Sequence, residues 1–407
     1  MLTLESFKAA RSVLQSVLRP TPLIHSPYLS KNCGNSVYLK PENMQATGAY
    51  KLRGAYYKIS TLSQEEKDRG LVTASAGNHA QGVAYAAQAA GVAATIVMPT
   101  TTPLVKVNNT KDYGAKVVLH GETFDDAAAL AAKLSEEEGL TYVHPFNDLT
   151  LATGQGTIAY EIFKDLPDVD VILVPVGGGG LAAGVSTLAK LLNPSVKVIG
   201  VEPSGAASMK ASLEAGRVVT LDKVTTIADG VAVKTPGDQV FPYIQRNLDG
   251  IITIDDGELV DAFLDVMEKH KMVVENAGLL TIAALKHLDC GDCNVVSVLS
   301  GGNMDVITIS SLVQHGLINR GRIFTFSVQL PDRPGELLRI AGLVAGLNGN
   351  IIKLDHNQFV NINRQAGVEL KVTMEAFGLS HKAEILDALR QAGYQVREVP
   401  PSGTITG

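Results

Sequence analysis

The chain lacks the features that mark secreted, membrane-spanning or nucleic-acid-binding proteins. Only three cysteines occur in 407 residues, which predicts a reducing compartment and hence the cytoplasm. No apolar run approaches the length of a membrane span, and Glu5 and Lys8 make the first ten residues unlike a signal peptide. The net charge is −6 and no basic cluster is present, so neither nucleic acid nor membrane is an expected partner. What remains is a globular chain long enough for more than one domain.

The two cysteines of the Cys-x-x-Cys motif, Cys290 and Cys293, form an isolated pair. Such a motif can bind a metal or act in redox chemistry, but no second pair and no histidine cluster accompany it. We therefore expect two ordinary reduced thiols at these positions.

Lys51 is a candidate nucleophile because of its sequence context. It follows a polar turn that contains Gly48 and precedes an apolar helical stretch from Leu52 to Ile59. A helix N-terminus disfavours an ammonium group, and partial desolvation lowers the pKa of a lysine further. The free amine so formed attacks aldehydes, which makes Lys51 a candidate for covalent attachment of pyridoxal phosphate (PLP). On this segment alone, a solvated surface lysine at a helix start is an equal alternative.

Three later segments each predict a buried parallel strand followed by a tight turn. The predicted strands are 71–74, 171–176 and 295–299. The turns that follow them are 75–82, 177–180 and 300–303, respectively. In an open α/β sheet, ligands bind at the carboxyl ends of the strands. The three turns are therefore predicted to converge on one crevice.

Each turn offers different chemistry to a ligand. The four consecutive glycines at 177–180 let the backbone approach closely, and the following helix start presents N–H groups to an anion such as a phosphate. Ser75 and Asn78 supply short donors for a carboxylate or a phenolic oxygen. Ser300 supplies a neutral hydroxyl at a strand end. A serine facing the nitrogen of a pyridine ring leaves that nitrogen unprotonated, which suits elimination of a β-substituent.

Together these segments resemble the PLP-dependent threonine dehydratases (threonine ammonia-lyases) of the tryptophan-synthase-β-like superfamily. The resemblance covers roughly residues 1–315, and the matching blocks are 42–55, 75–82, 177–180, 228–233 and 300–303. It implies an α/β catalytic domain of fold type II in two subdomains, the smaller and mobile one at roughly 45–150. It also implies that Lys51 carries PLP, that Asn78 contacts the PLP hydroxyl, that Gly177, Gly178, Gly179 and Gly180 bind its phosphate, and that Ser300 meets its pyridine nitrogen.

The activity that this resemblance implies is deamination of L-threonine to 2-oxobutanoate and ammonia, with L-serine to pyruvate as a side activity. The substrate is expected at the turn of Ser75, Ala76, Gly77 and His79. For His79, a helix-start histidine satisfied by its neighbours is an equal alternative. A homo-dimer or homo-tetramer is expected.

Four positions, in three motifs, depart from the related families. Ala49-Tyr50 stand where the common lysine motif has Ser-Phe. Ala76 stands where serine racemases have a serine that acts as a second base, so elimination is expected to dominate over racemisation. Glu202 matches the first metal ligand of the racemases, but Ser208 replaces the aspartate that would be the second. This leaves a monovalent cation at Glu202 as the candidate, rather than a divalent ion.

Other functions explain less of the sequence. Gly177-x-Gly179-x-x-Ala182 followed by Glu202 resembles a dinucleotide fingerprint, but an NAD enzyme leaves Lys51, Asn78 and Ser300 without a role. A serine racemase/dehydratase, or an enzyme like cysteine synthase or threonine synthase, is the alternative within the PLP superfamily. A non-enzymatic amino-acid sensor has no need of a nucleophilic lysine.

The C-terminal region predicts a separate small domain. Residues 316–322 are predicted as a linker, and residues 323–400 give the order βαββαβ of a ferredoxin-like sandwich. With Asp332, Arg333 and Gly335 in the first strand–helix turn, this region resembles an ACT domain, a small amino-acid-sensing module. An amino-acid or nucleotide effector is expected at Asp332, Arg333, Gly335 and Asn348, and a plain dimerisation domain is the alternative.

Overall fold

The structure is a computed structural model that describes residues 1–331, 333–357 and 368–399. The chain divides into two compact units, the first from Met1 to Val306 and the second beginning at Ile307. Across the described residues, no helix combines the length and the apolar character needed to cross a membrane.

The first unit contains two mainly parallel sheets. Its strands are β1 (Ile24–His25), β2 (Ser36–Lys40), β3 (Leu71–Ala74), β4 (Ala94–Met98), β5 (Lys116–Leu119), β6 (Thr141–Tyr142), β7 (Val171–Pro175), β8 (Lys197–Pro203), β9 (Gly250–Ile254) and β10 (Asn294–Val298). The larger sheet has the order β1-β2-β10-β7-β8-β9, and the smaller has the order β5-β4-β3-β6. All pairings are parallel except β1 with β2.

Helices connect and cover these strands. They are α1 (Leu4–Leu14), α2 (Pro27–Cys33), α3 (Lys51–Ser60), α4 (Gln64–Asp68), α5 (Asn78–Ala90), α6 (Leu104–Lys111), α7 (Phe124–Glu137), α8 (Leu149–Gly156), α9 (Ile158–Asp165), α10 (Gly180–Leu192), α11 (Ser208–Ala215), α12 (Phe241–Asn247), α13 (Asp256–Asp265) and α14 (Asn276–Ala283). Asp229–Val231 forms a short 3₁₀ turn. Local sequence fixes several helix starts: Thr123, for example, caps α7 and Asp126 bonds back to it.

Each sheet has its own apolar core. All five residues of β7 are buried, as expected for a strand covered on both faces. Ile172 and Val174 of this strand pack in one cluster with Val185 and Leu188 of α10. A second cluster joins Ile96 of β4 to apolar residues of α5 and α6. The helices are therefore attached to the sheets through separate cores, which fixes the turns between them.

Glycines bring α3, the helix that begins at Lys51, close to its neighbours. A Cβ at Gly154 of α8 would lie 2.6 Å from the backbone oxygen of Arg53, and a Cβ at Gly82 of α5 would lie 3.2 Å from the backbone carbon of Lys51. Larger residues there would push the helices apart. The start of α3 is thus held between α5 and α8.

The described part of the second unit contains three helices and a four-stranded antiparallel sheet. Its elements are α15 (Val306–Asn319), β11 (Ile323–Leu330), α16 (Glu336–Gly346), β12 (Asn350–Asn357), β13 (Val368–Glu375), α17 (Leu379–Gln391) and β14 (Val396–Val399). The strand order is β12-β13-β11-β14. Alternate residues of β13 are buried, and its Leu370 and Val372 pack with Ile340 of α16 and Ile385 of α17. The βαββαβ order predicted from the sequence is observed.

The linker predicted for residues 316–322 is wrong at its start. Residues up to Asn319 belong to α15, where Leu312 and Gly316 are buried. A glycine inside a helix costs only about 1 kcal/mol relative to alanine, so Gly316 alone does not end the helix. Three residues, 320–322, separate α15 from β11.

Candidate active site

Lys51 lies at the start of α3 with its side chain partly buried. The preceding Tyr50 donates its backbone N–H to the oxygen of Ser300 at 3.0 Å, so the lysine turn is fixed to the end of β10. The Lys51 Nζ donates to the backbone oxygen of Pro145 at 2.6 Å. Burial lowers the pKa of Lys51 to about 8, and the charge of Glu275 opposes that change. The amine is therefore much closer to its neutral, nucleophilic form than a surface lysine.

Asn78 is oriented by two side chains. Its Nδ2 donates to Oε1 of Glu275 at 2.7 Å, and its Oδ1 accepts from Nδ2 of Asn303 at 2.8 Å. Asn303 also donates to the backbone oxygen of Thr47 at 2.8 Å. This chain of hydrogen bonds connects the start of α5 with the turn after β10 and with the lysine turn.

Glu275 is a buried carboxyl group within this chain. Burial, together with the charge of Asp229, raises its pKa to about 7. A Cβ at Gly301 would overlap the carboxyl oxygen, so the turn after β10 passes directly over Glu275. Glu275 therefore contacts Asn78, a predicted cofactor-binding residue, through its carboxyl group.

The four glycines form a turn between β7 and α10 with free donors. Within the described residues, none of the backbone N–H groups of Gly177, Gly178, Gly179 and Gly180 donates a hydrogen bond to the protein. Gly179 has φ 102°, the left-handed region that favours glycine. A Cβ at Gly178 would overlap the ring of Phe146. Because Phe146 follows Pro145, the segment that holds the Lys51 amine also contacts the glycine turn.

Ser300 is buried, with 2% of its surface exposed. Its backbone nitrogen would lie 3.1 Å from a Cβ at Gly278, so α14 packs closely against it. In the part of the chain that the structure describes, its hydroxyl makes no hydrogen bond, which leaves it free for a ligand atom.

The turn from Ser75 to His79 joins β3 to α5. The hydroxyl of Ser75 accepts the N–H of Gly77 at 3.2 Å, while Ala76 and Gly77 are partly exposed. His79 is buried, and its Nε2 lies 3.1 Å from the backbone oxygen of Val143. Burial, assisted by the charge of Lys51, lowers the pKa of His79 to about 3, so the ring is neutral. Only one ring nitrogen is thus satisfied by the backbone, because Nδ1 is buried and makes no hydrogen bond with a described residue.

The predicted turns do converge, but not on a crevice of a single sheet. The turn with Asn78 follows β3 of the smaller sheet, whereas the glycine turn and Ser300 follow β7 and β10 of the larger one. A single crevice was expected because all three strands had the same pattern of buried apolar residues. That pattern is shared by parallel strands of any covered sheet, so it does not tell which strands are hydrogen-bonded together.

Glu202 is engaged by the backbone of α11. Its two carboxyl oxygens accept the N–H groups of Met209 and Lys210, both at 2.9 Å. Burial raises its pKa to about 7. The hydroxyl of Ser208 is buried nearby in sequence and makes no hydrogen bond with a described residue. Among the residues described, no group of three or more acidic, histidine or cysteine side chains converges as a metal site.

Sequence reasoning missed a buried ion network behind the lysine turn. Arg53 is fully buried and bonds both carboxyl oxygens of Glu42 at 2.7 Å. It also bonds both oxygens of Glu161, at 2.7 and 2.9 Å, and Lys40 pairs with the same carboxylate. Burial raises the pKa of Glu161, but the charge of Arg53 outweighs it and leaves that pKa at about 2. Glu161 lies more than a hundred residues from Arg53 along the chain, and no pattern in the sequence indicates that the two residues pair.

In the second unit, the predicted effector residues are not all together. Asp332 lies outside the described residues. Arg333 donates its N–H to the oxygen of Pro331 at 2.8 Å, and Gly335 has φ 94° at the start of α16. Asn348 has φ 62° and follows the end of the same helix. At 1.5 Å per residue, the 11-residue helix separates Gly335 from Asn348 by roughly 16 Å or more.

The first unit has the donor set that PLP requires. A partly neutral lysine amine, a turn with four free backbone donors and a buried free hydroxyl are contributed by segments that contact one another. These groups suit an aldehyde, a phosphate and a pyridine nitrogen, in that order.

Comparison with known proteins agrees with this geometry. Residues 14–301 match the family described as "Pyridoxal-phosphate dependent enzyme". The chain is 45% identical over 400 residues to an L-threonine ammonia-lyase of Thermotoga maritima, covering 98% of this chain and all of that protein. Among solved structures, it is similar to the processed form of threonine deaminase isoform 2 from Solanum lycopersicum, with 40% identity, a TM-score of 0.73, and 77% and 94% of the two chains covered. It is also similar to maize serine racemase, with 33% identity, a TM-score of 0.73, and 78% and 98% covered.

Proposed function

The chain belongs to the pyridoxal-phosphate-dependent enzymes, and we propose that it is an L-threonine ammonia-lyase that forms 2-oxobutanoate and ammonia. The observation that carries the proposal is the Lys51 amine, whose pKa is lowered by desolvation to about 8 and which donates to Pro145, the neighbour of the Phe146 ring that contacts the glycine turn. The 45% identity to a threonine ammonia-lyase over nearly the whole length supports the same activity. L-Serine, which has the same leaving group on Cβ, is the expected second substrate and gives pyruvate.

We assign the protein groups as follows. Gly177, Gly178, Gly179 and Gly180 bind the phosphate through their free N–H groups, Lys51 is the attachment point, Asn78 contacts the ring hydroxyl, and Ser300 faces the pyridine nitrogen. When bound, PLP delocalises the electron pair left on Cα after proton removal. The Lys51 amine takes that proton as general base. The turn of Ser75, Ala76, Gly77 and His79 binds the substrate carboxylate and fixes its orientation.

The experiment that tests this assignment is the substitution Lys51→Ala. We expect loss of ketoacid formation from L-threonine and loss of the visible absorbance of lysine-bound PLP. The matched control is Lys133→Ala, because Lys133 is an exposed lysine on α7. Ketoacid formation by Lys51→Ala at a rate near that of the wild type would refute the role of Lys51.

Serine racemisation is the alternative that the fold permits. Inversion at Cα requires an acid on the face opposite to Lys51, and Ala76 has no side-chain group that can supply a proton. The same absence argues for elimination. Neither a threonine-synthase-like enzyme nor a non-enzymatic amino-acid sensor is favoured by a specific contact of the site.

We further propose that residues 1–315 form the catalytic domain and 323–400 an ACT-like regulatory domain. The antiparallel order β12-β13-β11-β14 with α16 and α17 supports the second assignment. Since Gly335 and Asn348 lie at opposite ends of α16, a small effector can contact both only if two copies of the domain pair in a homo-dimer or homo-tetramer. Such pairing would couple effector binding to subunit arrangement, with a coupling of about 1–3 kcal/mol.

Titration of initial rates with isoleucine, valine and nucleotides tests the regulatory proposal. A responding effector should lose its effect in Asn348→Ala while the unregulated rate stays as in the wild type. An unchanged response in this variant would place the sensor elsewhere.

A monovalent cation near Glu202 is a separate proposal, tested by the dependence of the rate on potassium in wild type and Glu202→Gln.

A further inference from the structure

The first unit has two halves, one built around the smaller sheet and one around the larger sheet. An ion pair beside the candidate site connects them. Nζ of Lys106 lies 2.8 Å from Oδ2 of Asp229. Lys106 belongs to α6, which is anchored by the buried Val107 in the core of the smaller sheet. Asp229 begins the 3₁₀ turn Asp229–Val231, which is part of the larger-sheet half.

The turn that carries Asp229 contacts two parts of the site. A Cβ at Gly177 would lie 2.9 Å from Cα of Val231, so the Asp229–Val231 turn packs against the glycine turn at 177–180, which we call the glycine cradle. Its Gly230 lies beside Glu275, the partner of Asn78: a Cβ there would be 3.8 Å from the Glu275 carboxyl oxygen. Movement of this turn would therefore reach both the phosphate cradle and the carboxyl group that orients Asn78.

The ion pair also borders the site directly. Lys106 and Asp229 line a small cavity of about 30 Å³ together with Asn78, Glu275 and Asn303. The two charges act in opposite directions on the same buried group, since Asp229 raises the pKa of Glu275 and Lys106 lowers it. Asp229 is 71% exposed, so the pair closes the outer side of the cavity, where salt can screen it.

We propose that Lys106 and Asp229 are positioning residues for the deamination reaction. Their ion pair holds α6 against the Asp229–Val231 turn and thereby sets the separation between Asn78 and the glycine cradle. The expected change in KM for L-threonine rests on the proposed function, whereas the expected change in the hydrogen exchange of residues 227–232 does not. Neither residue touches the Lys51 amine, and the pair adds little to the stability of the fold because exposed ion pairs contribute weakly.

The test uses the full chain with Lys106→Met, Asp229→Asn and the reciprocal pair Lys106→Asp/Asp229→Lys. For each single variant we expect KM for L-threonine and the rate of PLP release during dilution to rise about two- to fivefold, the range for loss of an exposed ion pair. In the reciprocal pair, both KM and the rate of PLP release should return most of the way to the wild-type values. Lys133→Met is the matched control, because the ion pair of Lys133 with Glu137, at 3.8 Å, lies within a single helix.

A second readout needs no activity. In the cofactor-free proteins, hydrogen exchange of peptides that cover residues 227–232 should speed up in both single variants and return toward the wild-type rate in the reciprocal pair. The KM of the wild type, but not of Lys106→Met, should rise with choline chloride at constant potassium.

The outcomes separate this proposal from the proposed function. A wild type that does not deaminate threonine refutes the function, while the exchange result still decides the role of the ion pair. An active wild type with KM, PLP release and exchange all unchanged in both single variants refutes the positioning role. The positioning role is also refuted if KM, PLP release and exchange change in the single variants and stay changed in the reciprocal pair, because the two charges would then act separately.

Discussion

Substitution of Glu275 by glutamine should change the pH dependence of PLP attachment to Lys51. Burial lowers the pKa of Lys51 to about 8 and Glu275 opposes that change. At pH 7, roughly one tenth of such an amine is neutral, against about one in 2,500 for a lysine with an ordinary pKa near 10.4. Removal of the Glu275 charge removes the opposing influence, so the pKa of Lys51 falls further and the neutral fraction increases.

The expected difference is confined to a window of pH. The pKa of Glu275 is raised to about 7, so in the wild type this group is largely neutral below pH 7 and charged above it. Below pH 6 the wild type and Glu275→Gln should therefore attach PLP at similar rates. Between pH 7 and 8.5 the variant should be faster, and above pH 9.5 both amines are neutral and the rates should meet again.

The assay is the rate at which visible absorbance appears when PLP is mixed with the cofactor-free protein, measured from pH 5.5 to 10. Glu136→Gln is the control, because Glu136 is an exposed carboxylate on α7. Two results would show that the Lys51 amine is not desolvated. One is a wild-type attachment rate whose pH profile has its midpoint near pH 10, and the other is equal attachment rates for wild type and Glu275→Gln at pH 8.

The same substitution has a consequence for stability with a defined sign. A carboxyl group whose pKa rises on folding from 4.5 to about 7 destabilises the folded state increasingly as pH rises through that interval. The shift corresponds to roughly 3 kcal/mol once the group is fully ionised. Glu275→Gln should therefore be more stable than the wild type in urea unfolding at pH 8, and not at pH 4.

Three further predictions follow from contacts of the site. Arg53→Met should lower the unfolding free energy by about 3–5 kcal/mol, because it removes both Arg53 hydrogen bonds from the buried Glu42 carboxylate; a loss below about 1 kcal/mol in urea unfolding would contradict the buried network. Gly178→Ala should weaken PLP retention during dialysis by at least about tenfold, because its Cβ overlaps the Phe146 ring, whereas Gly342→Ala, which meets no neighbour, should not. With Ala76 in place of a second base, L-serine should yield pyruvate, and chiral chromatography showing D-serine formed as fast as pyruvate would contradict that expectation.

The sequence predicted local elements well because their signals are local. The strands predicted at 71–74, 171–176 and 295–299 are observed at Leu71–Ala74, Val171–Pro175 and Asn294–Val298. Each is a short run of apolar or alternating residues bounded by turn residues, and such a run specifies a strand without reference to the rest of the chain. The turn residues Lys51, Asn78 and Ser300 were predicted together for the same reason: each directly follows a turn or strand end.

The sequence did not predict which segments pair across the fold. Glu161 lies 108 residues from Arg53, and Asp229 lies 123 residues from Lys106. A charged residue on a helix has the same local pattern whether it faces water or a buried partner, so neither pair has a signature. The assignment of β3 to a different sheet from β7 and β10 was missed for the same reason, since strand pairing depends on contacts between distant segments.

The division of the site between two sheets has a chemical consequence. Lys51 and the Asn78 turn are connected to the smaller sheet through α5, while the glycine cradle and Ser300 follow strands of the larger sheet. A small rotation between the halves would change the distance from the amine to the cradle without breaking either core, because each half has its own apolar cluster. Precise placement must then come from the contacts that cross between them. The hydrogen bond from Asn303 to Asn78 and the ion pair of Lys106 with Asp229 are such contacts. Polar groups at the boundary therefore decide the reactivity of a site whose apolar cores only hold the two halves in place.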